Sequence, residues 1–364
     1  MLAEIGGNCR TFNDSKKTGL IDNSTASESN NMVILSLLIS FSSLVAHAQV
    51  SQIEAPPRLY PAGLISLSED THFSPFSFVV DKSKRTLSVF EWKNGDLEKK
   101  AEYPTDIGKN SGDKTKVNDH RTPVGIYFLQ KEMSQPEIPF DQYGNRAFST
   151  DYPNIFDQRD AKTGSGIWLH AVPDAVPLTR GSRGCVVVRN DVIKNLKKCV
   201  KLEQTPILIF SEVNYVTKEE HLTQKNKFLQ EFENWRTAWE QQDVDTYIKY
   251  YDSTFKNSQM NYKQWYRHKK KLKALYSFIK VHLSPPLILQ NKDQVVIRTI
   301  QRYESNLHQD YGEKTIHARL SPTNGFQIIR EDWKPLSETS TSVDLSSQKK
   351  DAAAEISRSA EIPN

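Results

Sequence analysis

Between residues 76 and 210 short β-rich runs follow one another, and only one stretch has clear helical spacing. That pattern most constrains the fold of this part of the chain. "SFVVDKSKRTLSVFEW" holds two such runs around the turn-like "DKSKR". "VGIYFL", "SGIWLHAV", "CVVVRN" and "TPILIF" continue the series, enriched in the branched and aromatic residues that suit a pleated surface. "DVIKNLKKCV" differs: Val192, Ile193, Leu196, Cys199 and Val200 repeat at helical intervals, with Asn190 or Asp191 available as a cap. The spacing predicts a mostly-β domain over 76–212 carrying one helix.

A second unit begins near Thr217. Phe228, Phe232, Trp235 and Trp239 fall on one face of a helix, and "NYKQWYRHKKKLKALY" is a second helical segment. Strand-like runs follow in "SFIKVHL", "QVVIRTIQRYES", "KTIHARL" and "FQIIREDW". Helices first and a strand meander afterwards predict an α+β domain over 217–334 with the helices on one sheet face. Residues 335–364 are polar and almost free of aromatics, the composition of a disordered tail.

The N-terminal end speaks about compartment. Residues 32–45, "MVILSLLISFSSLV", are apolar and uncharged, and "AHA" at 46–48 places small residues where a signal peptidase needs them. The run is too short to span a bilayer. It reads as a secretory signal cleaved after Ala48, which makes the protein periplasmic. Residues 1–31 are polar and shapeless, so Met32 is the better start; 49–75 read as a connector. With 48 basic and 44 acidic residues the net charge is only +4, no argument for nucleic acid. The three cysteines, Cys9, Cys185 and Cys199, make no zinc-ligand spacing and no disulfide framework, although a Cys185–Cys199 bridge is the bland alternative to a reactive thiol.

The chemistry concentrates in "GIWLHAVPDAVPLTRGSRGCVVVRN", residues 166–190. A thiol attacks as thiolate, so a catalytic cysteine needs a base or cation and N–H donors for an oxyanion. His170 ends a β-run, where its ring can be held rigidly, and fourteen loop residues, 171–184, return the chain to Cys185. Closing such a loop costs on the order of a few kcal/mol. Gly181 and Gly184 allow close backbone approach, and Arg183 and Arg189 flank the thiol with guanidinium groups that suit a carboxylate. The competing reading of Cys185 is a small core hydrophobe beside three valines. Lys109, Lys114, His120 and Arg121 lie in a polar stretch, as groove cations or as a solvated loop; His120 is a weaker base candidate than His170 because it has no strand behind it.

"HAVPDAVPLTRGSRGCVVV" resembles the catalytic stretch of the L,D-transpeptidase (YkuD-type) family, as do "IGKNSGDKTKVNDHRTPVGIY", "YGNRAFSTDYPN" and "KTGSGIWLH" upstream. The resemblance covers roughly 76–212. It implies Cys185 as nucleophile and His170 as general base. Ser182, Arg183 and Gly184 would shape the oxyanion pocket, with the N–H groups of Gly184 and Cys185 as donors. Many relatives have His where this chain has Arg183, and Gly where it has Ala171. The family acts on peptidoglycan stem peptides, cleaving between a diamino acid and a terminal D-Ala through a thioester, without metal or nucleotide cofactor. Transfer to an amine acceptor, which makes a transpeptidase, is the first expectation; water as acceptor, which makes an L,D-carboxypeptidase, is the alternative.

Residues 220–334 resemble an NTF2-like domain. The expected fold is therefore a mostly-β YkuD-type catalytic domain plus an α+β NTF2-like C-terminal domain, the arrangement of cell-shape L,D-carboxypeptidases of helical Gram-negative bacteria. "RHKKKLK", 267–273, is the densest basic run, either a solvated helix face or a contact for anionic wall polymer. A non-catalytic peptidoglycan-binding protein is the rival from another functional class. Sequence leaves the acceptor, the diamino acid and the oligomeric state open.

Overall fold

The computed structural model describes residues 58–321 and 325–337. The leader and signal segment, much of the connector and the tail beyond 337 lie outside the described residues. Among the described residues no helix is long and apolar enough to cross a membrane.

The chain enters through β1 (Tyr60–Pro61) and β2 (Leu64–Ser66). It then builds β3 (Phe76–Asp81), β4 (Thr86–Lys93), β5 (Asp96–Pro104), β6 (Gly125–Ser134), α1 (Phe140–Tyr143), β7 (Arg146–Thr150), α2 (Ile155–Arg159), β8 (Trp168–Val172), β9 (Val186–Arg189), α3 (Asn190–Lys197) and β10 (Pro206–Phe210). The sheet order is β5-β4-β3-β10-β6-β7-β8-β9, with β3/β10 and β8/β9 parallel. β6 belongs to both halves of this sheet, and its pairing with β7 shifts register between Leu129 and Glu132, a bulge that bends the strand between them. The predicted helix forms as α3, but Asn190 does not cap it. It is the first helical residue, and its side chain instead binds the Asn145 N–H (2.8 Å) and the Val172 carbonyl (3.0 Å).

After β11 (Tyr215–Val216) come α4 (Lys218–Glu240), α5 (Val244–Tyr247), α6 (Tyr262–Leu275), β12 (Ile279–Leu283), β13 (Leu287–Asn291), β14 (Gln294–Ser305), β15 (Gln309–Ser321) and β16 (Gly325–Pro335). Thr217 and Glu220 close a reciprocal cap at the start of α4, as Asn261 and Gln264 do for α6. The aromatic stripe of α4 is buried in one core with Tyr247, Tyr251, Val295, Ile297 and Ile328. The connector reading fails for residues 60–66. β1 pairs with β11, and β2 extends the C-terminal sheet beside β13, giving β16-β15-β14-β13-β2. Strands of two and three residues around Pro61 and Gly63 carry too little periodicity to announce themselves.

Strict alternation explains how the two domains join. Phe78, Val80, Tyr127, Leu129, Ile207 and Ile209 face the catalytic-domain core. Their neighbours Val79, Ile126, Phe128 and Leu208 face the opposite way, into a separate core with Leu287, Leu289, Val296 and Ile329 of the second sheet. Central strands buried on both faces read as continuous apolar runs. Asn291 adds a polar tie across this seam, donating to the Gly125 (3.3 Å) and Ile209 (2.8 Å) carbonyls.

Candidate active site

β8 and β9 run parallel with Leu169 opposite Val186 and His170 opposite Val187. Cys185, one residue before β9, therefore registers with Trp168. Leu169, Ala171, Val186 and Val188 point into the core. Alternation sends Trp168, His170 and Cys185 to the other face. Strand spacing and rise put the Cβ atoms of Cys185 and His170 about 8 Å apart on a diagonal, a gap that a thiol and an imidazole can span. Both side chains line one open cleft of about 650 Å³. No disulfide joins Cys185 to Cys199, so that reading falls.

His170 is buried, and its Nδ1 donates to the Ala171 carbonyl at 2.6 Å, which leaves the Nε2 lone pair as the basic site. Burial pushes its pKa down to about 4, against the lift from the Ala171 bond and with help from the Arg180 charge. The ring of Tyr143 stands edge-on to it at 5.0 Å and also packs on Trp168. Tyr143 is held there by a tight turn: Gly144 has φ +59°, and a Cβ on it would meet Asn190 Oδ1 at 2.6 Å and Ala171 Cβ at 2.7 Å.

Cys185 keeps partial solvent access, and its Sγ lies 3.5 Å from the Gly166 carbonyl. Burial pushes the thiol up to about 11, opposed by the Trp168 backbone and by the charges of Arg183 and Lys114. The pair thus rests as neutral thiol and neutral imidazole, not as an ion pair. Such a pair can act when a substrate carbonyl arrives and the proton moves to nitrogen as sulfur attacks.

The turn before the nucleophile is tied internally. Ser182 Oγ donates to the Cys185 carbonyl (2.7 Å) and accepts from the Gly184 N–H (3.0 Å). This corrects the expectation for Gly184: its N–H is occupied by Ser182 and is not presented to the cleft. Gly184 is needed for shape, with φ +130° and the Arg121 carbonyl oxygen 2.8 Å from where a Cβ would stand. Arg189 is a second correction. Its guanidinium donates to the carbonyls of Asp174 (3.2 Å) and Val176 (2.6 Å), and it does not line the cleft. It fastens the 171–184 loop, together with Arg85 on the Leu178 carbonyl (3.1 Å) and Asp106 on the Gly181 N–H (2.7 Å).

Lys109, Lys114, His120, Arg180 and Arg183 line the cleft, and no Asp or Glu among the described residues does. Lys114 is buried and paired with Asp119 at 2.9 Å. Burial opposes it, yet Lys114 and three backbone N–H groups hold the Asp119 carboxyl well below the usual range. Arg121 does not line the cleft; its backbone backs Gly184. Lys109, Arg180 and Arg183 are exposed and have no ion-pair partner among the described residues. Sequence reasoning passed over Arg180 and Tyr143. The proximity of Arg180 to Gly181 is the signal that was available.

A strand-borne histidine and a cysteine immediately before the next, parallel strand, in a cation-lined cleft, define a candidate cysteine acyl-transfer site. Comparisons with known proteins agree with that class. Residues 75–209 match the L,D-transpeptidase catalytic domain (YkuD), and residues 227–332 match the Cds6 C-terminal NTF2-like domain. The structure of Bd1075 from Bdellovibrio bacteriovorus is 56% identical, with a TM-score of 0.73, covering 77% of this chain and 100% of that one. The helical cell shape determining protein Pgp2 from Campylobacter jejuni is 25% identical, with a TM-score of 0.56, covering 74% of this chain and 97% of that one. No protein with a curated description matches. The chain belongs to the peptidoglycan-modifying L,D-transpeptidase/L,D-carboxypeptidase family, with a YkuD domain followed by an NTF2-like domain.

Proposed function

We propose that this chain is an exported L,D-carboxypeptidase that trims peptidoglycan tetrapeptide stems to tripeptides. The observation that carries the chemistry is the register of β8 and β9, which sets His170 and Cys185 on one face of one cleft. Cys185 Sγ attacks the carbonyl at the L-centre of the diamino acid while His170 Nε2 takes the thiol proton. The oxyanion is met by the Cys185 N–H. The C–N bond breaks, His170 returns the proton to the departing amine, and D-Ala leaves a thioester behind. Water then adds to the thioester, giving its proton to His170, and the sulfur leaves to be reprotonated. Arg180 and Arg183 suit the carboxylates that such a peptide carries.

Sequence alone put amine transfer first. Water is favoured here because the tandem YkuD and NTF2-like arrangement is shared with a cell-shape determining protein, and trimming without joining stems fits that role. The test is digestion of a defined disaccharide tetrapeptide by the mature chain and by Cys185→Ala. D-Ala release without joined stems, abolished in Cys185→Ala, is the expected result. Joined stems would return the reading to transpeptidase. Full activity in Cys185→Ala would remove Cys185 as the nucleophile, and binding to sacculi with no D-Ala release would favour the non-catalytic binding protein. Export rests on the segment 32–48, and the mature N-terminus by mass spectrometry should be Gln49.

A further inference from the structure

Lys162 does not line the cleft, and its side chain is only 7% exposed. Its Nζ lies between two carboxylates, Asp113 Oδ2 at 2.8 Å and Asp157 Oδ1 at 2.9 Å. Burial works against the charge, yet the bonds to Asp113 and Asp157 hold the ammonium above its ordinary value. Replacing a buried ion pair by apolar packing of similar volume is often neutral or stabilising, so such a triad is weak evidence of a stability role. What this one does is join three segments that meet behind the cleft.

Asp113 belongs to the stretch whose Lys114, Val117, Asn118 and His120 line the cleft. Its Oδ1 accepts from the Val124 N–H at 2.7 Å, where that stretch returns to β6. Asp157 lies in α2 and closes a reciprocal cap with Asn154. The far end of α2 is fixed on the C-terminal domain, where Arg159 donates to Thr254 Oγ1 (3.0 Å) and to the Ile329 carbonyl (2.8 Å). Lys162 itself leads into residues 164–167, all four of which line the cleft. Thr163 adds to the lacing: its N–H donates to the Thr115 carbonyl (3.1 Å), and its hydroxyl accepts from the Val117 N–H (3.0 Å).

The laced segment ends at the nucleophile. Four residues after Lys162, the Gly166 carbonyl accepts from the Cys185 thiol at 3.5 Å. A carbonyl oxygen beside sulfur favours the thiol over the thiolate, because its negative end faces the atom that must carry the charge. We propose that Lys162 is a positioning residue for Cys185: by tying α2 to the stretch that carries Asp113, it fixes the Gly166 carbonyl against Sγ and so sets the orientation and resting reactivity of the thiol. The inference rests on the reading of Cys185 as nucleophile. Because the tie acts on the attacking atom, its loss is felt in kcat more than in KM.

The experiment is site-resolved alkylation by iodoacetamide, read by mass spectrometry, beside steady-state D-Ala release from a soluble disaccharide tetrapeptide. The proteins are the mature chain as wild type, Lys162→Met, Lys162→Arg and Thr163→Val. Buried Cys199 is the internal control for general loosening. In Lys162→Met, alkylation of Cys185 should rise about fivefold with Cys199 still protected, and kcat should fall about tenfold at little-changed KM. Lys162→Arg keeps the charge and N–H donors for both carboxylates, and should return both readouts to within about twofold of wild type. Thr163→Val removes only the bond to Val117 and should show the same two changes at about twofold each. Labelling of Cys199 in step with Cys185 overturns the proposal, because it makes the lysine a general prop. So do wild-type values in Thr163→Val when Lys162→Met either keeps wild-type values or does not fold. If wild type releases no D-Ala, the proposed function falls, and the alkylation ratios alone decide this inference.

Discussion

The two domains treat their charged side chains in opposite ways. In the catalytic cleft Lys109, Arg180 and Arg183 face solvent, unpaired among the described residues, around an opening of about 650 Å³. In the C-terminal core the charges are satisfied from within. Lys314 pairs with Glu331 at 3.3 Å, Glu331 also accepts from Tyr251 at 2.5 Å, and Lys269 Nζ sits over Trp265, Trp239 and Tyr247 at 4.4, 4.8 and 5.1 Å. The cavity beside Lys269 is about 20 Å³, room for about one water. Burial pushes Lys269 down to about 7, so even this cation is held by its protein surroundings at the edge of neutrality. The cleft therefore leaves its cations to solvent, whereas those of the C-terminal core are answered from within, beside Trp265 Nε1 and Gln242 Oε1, which are buried without a hydrogen-bond partner among the described residues.

The largest effect that separates the two regions should come from the base. His170→Ala should lower D-Ala release per folded molecule by about 10²–10⁴-fold. The pH profile sharpens this. Because burial lowers His170 to about 4, the imidazole is neutral and competent above that value and protonated below it. The acid limb of kcat/KM should fall near pH 4, not near the ordinary histidine value. An acid limb well above that value would count against His170 as the base.

The C-terminal core should respond in the opposite currency. Lys314→Met leaves Glu331 buried without its ion pair, and such a break costs about 3–5 kcal/mol. Lys314 and Glu331 are both nearly inaccessible, at 6% and 7%. Thermal unfolding should shift down accordingly, while turnover per folded molecule on a soluble tetrapeptide stays unchanged. A loss of turnover at constant stability would break the contrast between the domains.

Gly184→Ala tests the turn that both presents the nucleophile and holds shape. The new Cβ meets the Arg121 carbonyl at 2.8 Å and Ile167 Cδ1 at 2.9 Å, at a φ that L-residues avoid. Strain of about 1–3 kcal/mol should appear in unfolding. Because Ser182 and Cys185 share that turn, activity should fall with it.

How much of this could be read from sequence depends on the range of the contacts. His170 and Cys185 were legible because each ends or precedes a β-run and one loop joins them. The stripe of α4 was legible because helical period is local. Arg189 misled because adjacency to Cys185 in the chain says nothing about direction; four residues on, at the end of β9, its guanidinium meets the Asp174 and Val176 carbonyls of the returning loop. Tyr143 was invisible because a four-residue helix delivers it to His170 across the sheet. β2 was invisible because its partner β13 lies more than two hundred residues away and its own three residues show no period.

The smallest expected effect bears most directly on what the cleft awaits. Arg180→Gln and Arg183→Gln remove exposed charges that touch no carboxylate among the described residues, so stability should move by no more than about 0.5 kcal/mol. If these guanidinium groups hold substrate carboxylates, each variant should raise KM for a tetrapeptide by about tenfold with kcat little altered, the mark of binding felt equally in ground and transition states. Arg183 also helps hold the Cys185 thiol down against burial, so its loss should slow alkylation of that thiol by iodoacetamide, whereas loss of Arg180 should not. Arg180 acts on the other partner: removing its charge lets the His170 pKa rise, and the acid limb of the Arg180→Gln profile should move upward from about 4. Unchanged KM in both variants would mean that the cations of this cleft are there to tune the thiol and the imidazole, not to bind the peptide.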